Sequence, residues 1–327
     1  MRAMQMQNYG GPEALGLVDV STPAPAAGQL LVRVHCASVN PVDWKRASGS
    51  LRFIMPVKFP SVPGYDIAGE VVSVGSGVAG FAPGMRVHAR IPDLSAGASA
   101  EFAVVAAHAV AVMPEGMTFA DAAALPLAGM TALQALRDGA GLHAGSALSP
   151  RSGLSASKAR QRVLVVGASG GVGHLGVQVA KAAGAWVSGV CSGRNVAWVQ
   201  ALGADEVLDY TRSDAFAGVA AFDTVLDCVA GNPGPWLKLM QPDAHYVSVI
   251  PGPGTFIWPL LHPFSRRRVK PWMLKSNGDD LRALDALWVQ GKLRVAIDRR
   301  FGLADLGAAW QRSMSDRAVG KIVIDVV

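Results

Sequence analysis

The stretch that most limits how this chain can fold is VLVVGASGGVGHLGVQVAKAAGA, residues 163–185. An apolar run ends at Gly167, a turn of small residues follows, and a helical pattern starts near Val172. That order fits a strand buried on both faces, a tight turn and a helix. Within the turn, Ala168, Gly170 and Gly173 form an AxGxxG version of the dinucleotide fingerprint. The whole turn, Ala168, Ser169, Gly170, Gly171, Val172 and Gly173, is therefore expected to cradle a pyrophosphate. A side chain at Gly170 would block the anion, and Gly173 lets helix and strand pack closely. Free N–H groups and the helix dipole face the phosphate. His174, just inside the helix, reads as an exposed or packing residue rather than a catalytic one.

The pattern continues with WVSGVC, EVLDY, DTVLDCV and HYVSVI, short apolar runs with helix candidates between the first four strands, GVGHLGVQVAKAAGA and NVAWVQALGA among them. This predicts a doubly wound parallel sheet. Residues 1–115 differ: LLVRVHCASV, IAGEVVSVG, RVHAR and EFAVV are short strand-like runs between Gly and Pro turns. From Phe119 a helical pattern leads into the parallel sheet, and the tail, with the helix LRALDALWVQ and the strand KIVIDVV, is left to return to the first domain. We expect an α/β chain with a β-rich domain from 1–121 and 276–327 and a Rossmann domain from 122–275. Two segments interrupt this plan. The Ser-, Ala- and basic-rich residues 146–161 have the composition of a flexible surface loop. FIWPLLHPFSRRRVKPWM, residues 256–273, sets bulky apolar residues beside Arg266, Arg267, Arg268 and Lys270. Its prolines argue against one continuous helix, so it reads as a solvated loop near a lipophilic pocket, with peripheral contact to an anionic membrane as the alternative.

Half of the 327 residues are hydrophobic and 17% are charged, as in a folded enzyme rather than a disordered chain. A net charge of +6 suits an anionic partner, yet the basic residues are mostly scattered and lack interleaved aromatics. A phosphorylated cofactor meets that charge better than nucleic acid does, so no nucleic-acid partner is expected. Cys36, Cys191 and Cys228 are too few and too far apart for a disulfide framework or a zinc cluster. With no signal-type N-terminus and no apolar span of membrane length, the expectation is a soluble, cytoplasmic protein.

The second strand of the α/β part decides between dinucleotides. An NAD site carries an acid at its end, about 20 residues beyond the glycines. Here WVSGVC runs into Ser192, Gly193 and Arg194. Arg194 can pair with a 2′-phosphate and Ser192 can hydrogen-bond to it, which favours NADPH; the plain alternative is an exposed arginine at a helix start. Tyr210, ending the third strand, is either a phosphate or adenine contact or a residue that closes the core.

With these segments in view, the chain resembles the zinc-independent quinone oxidoreductase and oxoene reductase branch of the medium-chain dehydrogenase/reductase superfamily. The resemblance rests on YGGPEAL, SVNPVDWK, PSVPGYDIAGEVVSVGSGV, FAPGMRV, VLVVGASGGVG, LGADEVLDY and the terminal GKIVI. VKPWMLKSNGDDL and GKLRVAIDRRFGLADLGAAW are similar to the C-terminal region of the oxoene reductases. It implies a GroES-like β domain built from both chain ends, a Rossmann domain, the nicotinamide in the cleft, and a homodimer. The implied reaction is NADPH-dependent reduction of a small lipophilic quinone or α,β-unsaturated carbonyl compound. In the zinc alcohol dehydrogenases of the superfamily a Cys ligand comes where Asn40 stands and a His-Glu pair where Tyr65-Asp66 stand, so no metal is expected here. Two departures stand out: residues 146–161 are not part of the usual pattern, and many quinone reductases carry tyrosine where Lys45 stands.

The polar stretch SVNPVDWKRASG, residues 38–49, then reads as part of the site. Reduction of an activated C=C bond sends hydride to the β-carbon and negative charge to the carbonyl oxygen, where a donor helps. Lys45 and Asn40 are the candidate donors: Lys45 stabilises the enolate or is a solvated surface lysine, and Asn40 fixes substrate or nicotinamide by its amide. Asp43 reads as holding the loop by turn hydrogen bonds. Thr131 resembles the position that contacts the nicotinamide end of the cofactor, with a core contact as the alternative. Cys228, Val229, Val249 and Ile250, at strand ends, are expected to give backbone contacts. Lys321 returns to the nicotinamide cleft from the tail, or belongs to a strand-edge turn. The competing function is a non-catalytic dinucleotide-binding protein.

Overall fold

The structure, a computed structural model, describes residues 1–91, 97–142, 160–229, 231–250 and 252–327. The insertion expected at 146–161 lies, up to residue 159, outside the described residues. The chain divides into two compact units: Met1–Met130 with Lys275–Asp285 and Val295–Val327, and Thr131–Leu274 with Ala286–Arg294.

The first unit opens with an antiparallel ribbon, β1 (Arg2–Met6) and β2 (Leu15–Asp19). The long strand β3 (Gln29–Val39) follows, then helix α1 (Pro41–Ala47), β4 (Asp66–Val74), β5 (Arg86–Arg90), β6 (Phe102–Ala106) and β7 (Val110–Val112). Helices α2 (Phe119–Ala124) and α3 (Pro126–Gln134) come next. α2 packs on β3 and β4, so the first unit runs past the boundary expected near residue 121 and ends inside α3.

The second unit holds the parallel sheet: β8 (Arg162–Val166), α4 (Gly173–Ala182), β9 (Trp186–Cys191), α5 (Val196–Ala201), β10 (Glu206–Asp209), β11 (Phe222–Asp227), β12 (Met240–Ser248), α6 (Pro253–Leu261) and β13 (Arg268–Pro271). Its order is β10-β9-β8-β11-β12-β13, all pairs parallel. β8 and β9 are buried along nearly their whole length, as strands covered on both faces must be. Leu164, Val190, Phe222 and Tyr246 fill one core cluster. Between β10 and β11 the expected helix is absent and turns take its place. Asp209 accepts the N–H and hydroxyl of Thr211, and Arg212 pairs with Asp214, so short-range side-chain bonds compete successfully with helix formation.

The segment 256–273 corrects a second expectation, for it is not a solvated loop. Pro253 occupies the first turn of α6, where its missing N–H is harmless, and the helix stops just before Pro263. Of the basic residues after it, Arg266 and Arg267 lie in a bend and Arg268 and Lys270 belong to β13, the edge of the sheet. Phe256, Leu260, Leu261 and Phe264 are exposed, the last at 97%.

The tail, α7 (Gly278–Val289), β14 (Ile297–Gly302), α8 (Leu306–Met314) and β15 (Lys321–Asp325), completes the first unit's sheet in the order β14-β15-β3-β4-β5-β7, with β6 also on β3. Both chain ends thus build one sheet around Leu30, Val32, Ile67, Val87 and Trp310. No helix among the described residues is long and apolar enough to cross a membrane.

Candidate active site

Antiparallel register assembles the polar centre of the first unit. Ser38 of β3 lies opposite Asp66, the first residue of β4, and Val39 lies opposite Ile322 of β15. Ser38, Asn40, Asp66 and Lys321 consequently meet in the interior, each at most 3% exposed. One carboxylate oxygen of Asp66, Oδ2, accepts from Ser38 Oγ and from Asn40 Nδ2, both at 2.9 Å. Its other oxygen accepts the Leu127 N–H at 2.9 Å. The Lys321 ammonium donates to Asn40 Oδ1 at 2.5 Å and to Val39 O at 3.2 Å, and lies 3.6 Å from Asp66 Oδ2. Burial lowers the Lys321 pKa, while Asp66 and Asp43 act against that fall.

The helix α1 starts at this point because Pro41 supplies a preset φ in its first turn and Asp43 Oδ2 accepts the Asn40 N–H at 2.7 Å. Asp43 therefore holds the turn. Its second oxygen is buried and has no partner among the described residues, and burial raises its pKa to about 7. Beside it, Arg46 donates to Tyr65 Oη at 3.2 Å, and the Arg90 guanidinium lies 4.9 Å from the Tyr65 ring centre. Lys45 is half-buried, its ammonium 5.4 Å from the Trp44 ring centre, and outside the Asn40 network.

In the second unit the glycine turn has the geometry a pyrophosphate needs. Gly167 has φ +75°, a left-handed conformation, and a Cβ on Gly173 would stand 2.1 Å from Gly167 O. A Cβ on Gly170 would meet Gly167 O alone, at 3.4 Å, so one side of that residue is open. Among the described residues, the N–H groups of Gly171 and Val172 have no acceptor. These residues fit a dinucleotide. His174 is fully buried, its ring against Gly170 O at 2.9 Å, which makes it a packing residue.

Asn195, which sequence reasoning passed over, ties the site together: its amide donates to Ser169 Oγ at 3.0 Å and Ser192 Oγ at 3.4 Å. Its position just after Ser192 and Arg194 was the available signal. Arg194 is exposed and makes no ion pair among the described residues. The Asp209 carboxylate, beside Gly193, is taken up by Thr211. Tyr210 is 60% exposed and closes no core. Thr131 is buried in α3. Cys228 and Val229 follow β11, where Asp227 accepts the Val229 N–H at 2.8 Å, and Val249 and Ile250 follow β12.

Comparison with known proteins adds two family models: the alcohol dehydrogenase GroES-like domain matches residues 26–115, and the zinc-binding dehydrogenase family matches 202–324. A chloroplast envelope quinone oxidoreductase homolog of Arabidopsis thaliana is 37% identical, over 99% of this chain and 98% of its own. A 2-methylene-furan-3-one reductase of Solanum lycopersicum is 32% identical over 99% of this chain and 79% of its own. The solved structure of the quinone oxidoreductase from Coxiella burnetii superposes with a TM-score of 0.87, at 32% identity, over 100% of this chain and 99% of that one.

Proposed function

Since the chain belongs to the medium-chain dehydrogenase/reductase superfamily, in its quinone oxidoreductase branch, we propose that it transfers hydride from NADPH to a quinone or an α,β-unsaturated carbonyl compound without zinc. The observation that carries the cofactor choice is Arg194, exposed, without an ion pair among the described residues and just beyond the end of β9, where an NAD site has a carboxylate. The Gly170 turn would hold the pyrophosphate, Ser192 and Arg194 the 2′-phosphate, and Asn195 fixes the two against each other. Tyr210 is free to lie against phosphate or adenine. Thr131, Cys228, Val229, Val249 and Ile250 remain the contacts proposed for the rest of the cofactor.

The nicotinamide supplies the hydride. The chain's own part is to meet the charge that develops on the substrate's oxygen, and Asn40 and Lys45 are the donors proposed for it. Asn40 uses one amide hydrogen on Asp66 and keeps the other. Oxidation of NADPH with a panel of quinones and enones, before and after dialysis against a chelator, tests this reading. Binding of NADPH with turnover of none of them would leave a dinucleotide-binding protein.

We also propose a homodimer, with a second copy rather than a membrane against α6 and β13. An edge strand offers unpaired N–H and C=O groups that another strand satisfies and lipid cannot, and the exposed Phe256, Leu260 and Phe264 adjoin it in the chain. Light scattering of the parent and of Leu260→Asp/Phe264→Asp, beside sedimentation with anionic vesicles, separates the two. The three free cysteines suit the cytoplasm.

A further inference from the structure

The family description implies zinc, and the residues here do not fit it. Tyr65 stands where the zinc enzymes have histidine, and its hydroxyl is engaged by Arg46. Asn40 replaces a thiolate. Around Lys321 the donors are a carbonyl, an amide oxygen and a carboxylate, all hard oxygens rather than the nitrogen and sulfur donors zinc prefers. A cation already sits among them: the Lys321 ammonium, 3% exposed. Among the described residues no group of three His, Cys, Asp or Glu could hold a metal ion.

We propose that Lys321 is the built-in cation of this site and the positioning residue for Asn40, holding the asparagine amide in the one orientation that presents a polarised N–H donor. The inference rests on the proposed reductase reading. Its geometry closes as a ring of three contacts. The ammonium binds Asn40 Oδ1, the amide nitrogen on the same side chain binds Asp66 Oδ2, and Asp66 faces the ammonium. An amide can turn over, exchanging O for N, unless both ends are claimed by partners of fixed polarity. A carboxylate accepts only and an ammonium donates only, so the pair permits a single orientation. An ammonium on the amide oxygen also strengthens the remaining N–H as a donor, since chained hydrogen bonds polarise one another. That donor is the one the reductase reading needs at the substrate's oxygen or the nicotinamide carboxamide.

Three forms of the full-length protein test this: the parent, Lys321→Met and Lys321→Met/Asp66→Asn. In the single variant the buried Asp66 carboxylate loses the ammonium 3.6 Å from it, and the folding equilibrium constant at pH 8 should fall by roughly 10²–10³-fold. The double variant removes both charges and should recover to within about tenfold of the parent. With an amide at 66 and no ammonium, Asn40 can turn its oxygen to the new N–H. NADPH affinity should then stay at the parent value while single-turnover hydride transfer remains about 10²-fold slow. The side-chain amide signal of Asn40, assigned by its loss in Asn40→Asp, should move in the double variant. An unchanged folding constant in Lys321→Met, a double variant that does not recover, or one that recovers with parental hydride transfer and an unmoved Asn40 signal each overturns the proposal. If the parent reduces no quinone or enone, the reductase reading falls instead, and the folding constants and the Asn40 signal still decide the role of Lys321.

Discussion

Replacing Asp43 by asparagine should flatten the pH dependence of stability. The carboxyl is 4% exposed, one oxygen takes the Asn40 N–H, and the other has no partner among the described residues. Burial is the main cause that lifts its pKa, and the Asp66 charge adds to it. The Asn40 N–H, Lys321 and Arg90 pull the other way, and the outcome is a rise from 3.8 to about 7. Below the unfolded value the group is protonated in both states and no penalty exists. Between 3.8 and about 7 the folded chain keeps a proton that the unfolded chain has lost. Stability therefore falls as pH rises, by about 1.4 kcal/mol per pH unit. The full interval is worth about 4 kcal/mol. This is a ceiling, because rearrangement of the polar groups around a buried charge relieves part of the penalty. Asparagine copies the neutral acid, and its oxygen can still accept from Asn40. Urea unfolding of both proteins in steps from about pH 5 to about pH 8 should give curves that diverge by about 3 kcal/mol, with the variant the flatter. Parallel curves would show that Asp43 is ionised throughout and would refute the reasoning.

Arg194→Ala should lower the preference for NADPH over NADH by about 10- to 100-fold, the loss of a charge-assisted bond to phosphate; dissociation constants for both cofactors check it, and a parent that binds both equally defeats it. Gly173→Ala and Gly170→Ala should fail differently. The first places a methyl 2.1 Å from Gly167 O and should lower the melting temperature, whereas the second meets that atom only at 3.4 Å, so it should fold normally and weaken NADPH about tenfold or more. Lys45→Met should slow hydride transfer to an enone by roughly 10²–10³ with NADPH affinity unchanged, measured in single turnovers; no change would make it a surface lysine.

Much of the fold was legible because its decisive signals are local. β8, the glycine turn and α4 occupy consecutive residues, and the spacing of Ala168, Gly170 and Gly173 carries its mechanical reason with it. The failures came where local pattern and tertiary setting disagree. β13 is an edge strand with basic residues, and an edge tolerates charge that a central strand would reject. The 210–221 stretch held apolar residues enough for a helix, but Asp209 and Asp214 bonded their neighbours instead.

The candidate site was legible as a set of residue types and not as an arrangement. Lys45 and Asn40 are close in sequence, yet α1 separates them. Asp43 turns inward, and a residue two places on points away, since neighbours on one helical face recur at three or four. Conversely, Asp66 and Lys321 are far apart in sequence and meet because β4 and β15 flank β3 in one register. A slip of one residue would turn either side chain to the opposite face, so pairing cannot be read from either strand alone. A narrower inference was available. DIAGEVVSV and KIVIDVV each begin with a charged residue on an apolar run, and a charge carried into a buried strand needs a partner of opposite sign. Nothing local says that Asn40 stands between the two, and that intervening amide turns a buried ion pair into a site with a direction.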